Sequence, residues 1–122
     1  MALLRKREKN SVDRRRSLAG VPVFHDNVEI IGGDEGNITL KVQVRRGYGF
    51  LERFRPPVTE RKYELDEFGT FVVRQVRKRK NVLAIIRAFE RRFGMSHRES
   101  ELGVVAFVKM LMKRNVLSVV VE

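Results

Sequence analysis

The chain has 122 residues, no cysteine and a formal net charge of +11, which suits one domain with one core and excludes disulfides, thiolate metal sites and thiol nucleophiles. Charge of that size selects an acidic partner: nucleic acid, an anionic membrane surface, or an acidic protein or peptide. The opening MALLRKREKN turns basic too soon for a signal peptide, and no stretch approaches the roughly 18 apolar residues of a membrane helix, so a soluble cytoplasmic protein without membrane partners is expected.

Residues 1–20 carry seven Lys or Arg against Glu8 and Asp13 and few large apolar groups. Such a segment cannot bury enough surface to offset its ordering entropy, and it reads as a flexible basic arm ahead of a folded domain over 21–122. Val21-Pro22 opens that domain, since proline suits the start of an edge segment. Val28 to Ile31 reads as a short strand, and the glycines and acidic residues of GGDEGN at 32–37 as a hairpin loop. Ile38 to Arg45 alternates strictly, with Ile38, Leu40, Val42 and Val44 on one face and Thr39, Lys41, Gln43 and Arg45 on the other. A long basic connection from Arg46 ends in Pro56-Pro57, and a third strand follows over Thr59 to Leu65. Strands joined in sequence predict a meander whose third member is an edge.

Asp66 is placed to cap a first helix carrying Phe68, Val72 and Val76 on its inner side with Phe71 beside them. Arg77-Lys78-Arg79-Lys80 is a loop. Asn81 then caps a second helix whose Val82, Ile85, Ile86, Phe89 and Phe93 make a core stripe, and Gly94 ends it. Ser96 to Glu99 forms a capping box for a third helix, and Leu117 to Val121 is a last short strand. The chain is therefore α+β: a three-stranded antiparallel meander, three helices and a short C-terminal strand.

The third helix has more apolar residues than one buried face uses. Val104, Phe107, Val108, Leu111 and Met112 fill a core arc, whereas Leu102, Ala106 and Met110 form a separate stripe at i, i+4, i+8 with Gly103 beside it. Either the monomer covers that stripe or it lines a groove toward the edge strand, and small residues with a methionine there suit an adaptable peptide site.

Signals of catalysis are nearly absent. His25 and His97 stand far apart with no cysteine, against the three or four converging ligands a metal site takes. Gly47-Tyr48-Gly49 lacks the third glycine of a dinucleotide loop. No catalysis, metal or cofactor is expected. Two features suit nucleic acid instead. Arg46-Gly47-Tyr48-Gly49-Phe50-Leu51 fits the start of an RNA-recognition signature in which Tyr48 and Phe50 would stack bases, although Arg53 stands where an aromatic belongs. Two helices joined by FGMSHRE also resemble a helix-turn-helix, but the would-be recognition helix is mostly apolar. The alternative reading is thus a basic nucleic-acid-binding protein using Arg46, Tyr48, Phe50, Arg77, Lys78, Arg79 and Lys80, chiefly on phosphates.

Tyr63 to Val72, Asn81 to Ile86, Phe93-Gly94, Ala106 to Leu111 and Val116-Leu117 together resemble the coenzyme PQQ synthesis protein D family: a Leu-Asp-x-x-Gly start at Leu65, a Val-x-x-Ile second helix at Val82, and a third helix around Phe107 and Leu111. The chain is similar over about 60 residues and departs at Arg77 to Lys80, where the family has an Asp-Gly-like turn, as a divergent member would. The resemblance implies a winged-helix arrangement and a non-catalytic role: capturing the leader of a precursor peptide as an added strand and presenting it to a modifying enzyme, often a radical SAM protein. It places that peptide between Arg61, Lys62, Tyr63 and Glu64 on one wall and Leu102, Ala106, Lys109 and Met110 on the other. An open edge beside an apolar stripe also suits a second copy, so a homodimer is a further candidate partner.

Overall fold

The computed structural model describes residues 18–34, 36–45 and 58–121; the segments 1–17 and 46–57, with Arg46, Tyr48 and Phe50, lie outside the described residues. The described chain runs β1 (Val21–Phe24), β2 (Val28–Ile31), β3 (Thr39–Arg45), β4 (Val58–Glu64), α1 (Glu67–Arg77), α2 (Val82–Phe93), α3 (His97–Lys113) and β5 (Leu117–Val120). Strands β2, β3 and β4 form an antiparallel sheet in that order, so the α+β meander followed by three helices and a closing strand is what the chain adopts.

The alternation of β3 decides the sheet's orientation. Leu40 lies opposite Ile30 and Tyr63, and Val42 opposite Val28 and Arg61. These rows share one face because side chains alternate along a strand. Leu40 and Val42 are fully buried there, against α1 (Val72, Val73, Val76), α2 (Ile85, Ile86, Phe89) and α3 (Val104, Val108, Leu111). Each such side chain withdrawn from water stabilises the fold by about 1.5–3 kcal/mol before entropy is counted. The turn from β2 to β3 depends on Gly33, whose φ is +101°. A Cβ there would also sit 2.8 Å from Ile38 Cγ1, so both backbone and packing require glycine.

β1 and β5 pair with each other in a separate two-stranded sheet, Val21 opposite Val120 and Phe24 opposite Leu117. Sequence alone identifies Val21-Pro22 and the Leu117 strand but not their pairing, because the partners lie at opposite ends of the domain. The His25 ring ties the pair: Nδ1 donates to the Asn115 carbonyl (2.9 Å) and Nε2 lies 2.6 Å from Ser118 Oγ.

Each helix starts where a short polar side chain satisfies an exposed amide. Asp66 Oδ1 accepts from Gly69 N–H (2.8 Å), Asn81 Oδ1 from Ala84 N–H (2.8 Å) and Ser96 Oγ from Glu99 N–H (3.2 Å). Gly94 closes α2 in the left-handed conformation, its N–H donating to Glu90 O. Two apolar side chains assigned inward by spacing are exposed. Phe68 (45%) sits in the first turn of α1 and packs at the surface against Phe93 in a tilted pair, 4.6 Å between centroids. Met112 (42%) lies at the margin of an arc centred on Val104, Val108 and Leu111.

Candidate functional site

β4 bonds to β3 on one side, and no described strand pairs with its other side. Its backbone groups there form an open edge. Arg61 and Tyr63 share the helix-facing side of the sheet; Glu60, Lys62 and Glu64 point to the other side. Arg61, Lys62 and Glu64 are exposed and Tyr63 is half-buried. Lys41 reaches diagonally across to Glu60 at 2.7 Å, a surface pair of small energetic weight that helps hold the register.

The wall opposite the end of β4 comes from one flank of α3. The Arg114 guanidinium lies over the Tyr63 ring, 4.8 Å from its centroid, a cation–π contact joining the end of α3 to the edge strand. The Phe107 ring packs so closely on the start of α1 that a Cβ on Gly69 would meet it at 3.1 Å. At about 100° per residue, Gly103 and Met110 fall on the same flank as Phe107, whereas Leu102 and Lys109 lie further round on the outer face. Ala106 falls between the two sets. Leu102 (64%) and Met110 (37%) are exposed, as are Ala106 and Lys109. The monomer's described residues therefore leave the second stripe of α3 open.

Where that flank meets α1 and the end of α2, a mainly apolar depression of about 300 Å³ opens between Phe68, Val72, Phe89, Met95, Gly103 and Phe107. Nothing lies within 4 Å of a Cβ built on Gly103, so its missing side chain keeps the depression open. Of the residues named from sequence, Tyr63 meets the end of α3 through Arg114, one turn past Met110, and Leu102, Ala106, Lys109 and Met110 are all exposed. Gly103, Phe107 and Arg114 were not selected by sequence reasoning. Gly103 was visible beside the stripe, but Phe107 counted as core, and nothing local predicts that Arg114 meets Tyr63.

Arg77, Lys78 and Arg79 gather, exposed, at the turn between α1 and α2. Lys80 is half-buried, its Nζ donating to Gln75 Oε1 at 2.8 Å. His97, at the start of α3, lies 3.1 Å from Glu90 Oε2. Among the described residues no group of three or more His, Cys, Asp or Glu converges to hold a metal ion. No helix among them is long and apolar enough to cross a membrane.

A free sheet edge beside an exposed helix flank is the main surface feature of this small α+β scaffold. The family model described as coenzyme PQQ synthesis protein D (PqqD) matches residues 56–117, more than half of the chain, and the chain belongs to that family. The match spans β4 and the three helices and ends on the first residue of β5. Searches of curated proteins and of solved structures return no significant match. The family takes part in coenzyme PQQ synthesis, as an accessory to a peptide and a modifying enzyme.

Proposed function

We propose that this chain is a non-catalytic cytoplasmic module that takes an extended segment of a precursor peptide as an added strand on β4 and presents it to a modifying enzyme of the radical SAM kind. The observation that carries this reading is the open edge of β4 beside the exposed flank of α3. The peptide's backbone pairs with β4, and its alternate side chains face Tyr63, Ala106 and Met110, as strand addition requires. Arg61, Lys62 and Glu64 set the charge along the strand, and Leu102 and Lys109 meet the parts of the peptide that extend past the helix. The depression beside Gly103 receives one large apolar side chain; burying it supplies about 1.5–3 kcal/mol.

Titration of precursor peptides encoded beside this gene, followed by backbone amide NMR, tests the reading. The expected result is perturbation over 58–65 and 102–114. Two substitutions should weaken binding about tenfold or more: Met110→Glu, which puts a charge on the flank, and Gly103→Leu, which fills the depression. Peptides that bind without perturbing those residues refute the site. Nucleic-acid binding through Arg77 to Lys80 behaves differently, falling steeply with salt and surviving Met110→Glu.

A further inference from the structure

A second surface lies away from the edge of β4. From Arg74 to Arg92 the chain holds eight Lys or Arg and one acid, Glu90, and Glu90 is engaged by His97. Several of these cations converge. A trough of about 490 Å³ runs between the β2–β3 turn and the outer side of α1, bordered by Arg74, Arg77, Lys78 and Arg92, with Asp34 as the one carboxylate lining it among the described residues and Phe71 on its inner wall. Arg74 is fixed there because its Nη2 donates to the carbonyls of Gly33 and Gly36. The Arg92 guanidinium lies 3.5 Å from Glu67 Oε1 in an exposed pair, an interaction weak enough to yield to a better ligand. No carboxylate among the described residues pairs with Arg74, Arg77 or Lys78.

We propose that this trough is a docking site for an acidic polypeptide segment, one that brings carboxylates to Arg74, Arg77, Lys78 and Arg92 and an aliphatic side chain to Phe71. Charge complementarity selects an acidic ligand, and guanidinium forks suit carboxylates. The inner wall selects polypeptide over nucleic acid. Single-stranded nucleic acid gains most where its bases stack on open aromatic faces, whereas the Phe71 ring is half-buried and in edge-to-face contact with Phe89 (centroids 6.1 Å) and Phe93 (5.4 Å). The site stands apart from the peptide groove and does not depend on it.

The test uses the full chain and a short acetylated peptide of alternating glutamate and leucine, titrated by amide NMR at low salt and at about 0.15 M. A single-stranded oligonucleotide of equal net charge is titrated alongside. The peptide should shift the amides of Gly33, Asp34, Gly36, Arg74, Lys78 and Arg92. Arg77→Glu with Lys78→Glu should weaken it about tenfold or more, Arg77→Gln with Lys78→Gln should weaken it less, and Met110→Glu should leave it unchanged. The Gln pair keeps the test valid if charge reversal perturbs the end of α1. The proposal is overturned by an absence of shifts at those residues, by indifference to both double substitutions, or by tighter binding of the oligonucleotide at equal salt.

Discussion

Thr70 links two parts of the fold at a single atom: its Oγ1 accepts the Ile38 N–H at 2.9 Å from within the core, where Thr70 is 3% exposed. Thr70→Val keeps the shape and strands a buried amide, so chemical denaturation should report a loss of about 1–3 kcal/mol. At Arg79 the sign reverses. Its left-handed backbone predicts that Arg79→Gly raises stability by about 1 kcal/mol, read as a higher denaturation midpoint. Features of this scale were legible from sequence where the chemistry is local. Asp66, Asn81 and Ser96 act three residues from the amides they satisfy, and Gly94 ends the helix it follows. Thr70 with Ile38 and Tyr63 with Arg114 were not legible, because the partners meet only once the helices have packed on the sheet.

Among the elements, β4 and α3 carry the functional claim, and their packing separates two glycines that look alike in sequence. A Cβ on Gly103 meets nothing within 4 Å, whereas one on Gly69 meets Phe107 at 3.1 Å and Leu65 at 3.3 Å. Gly103→Ala should therefore stabilise the domain by roughly 0.5–1 kcal/mol through helix propensity. Gly69→Ala should gain less than that or lose stability, and paired thermal melts measure the difference. The two-sided apolar pattern of α3 was readable because a helix repeats every 3.6 residues. Which of its outer positions face the edge strand was not readable. That depends on how α3 rotates when Val104, Val108 and Leu111 seat in the core, and the rotation brings Phe107 and Gly103 toward α1 and turns Leu102 and Lys109 outward.

Across the whole molecule, two candidate binding surfaces stand out. The edge of β4 and the flank of α3 form one; the trough between Arg74 and Arg92 forms the other. The net charge predicted an acidic partner but not a place for it, since positions scattered along 74–92 become one border only after α1 and α2 fold against each other. Strand addition at the first surface can be read by amide hydrogen exchange of β4 with and without a bound precursor peptide. In an antiparallel ladder alternate amides bond to the neighbouring strand and the others point away. Peptide binding should slow exchange at the alternate amides of Val58–Glu64 that point away from β3. Bound peptide that leaves those amides exchanging as fast as before would contradict strand addition.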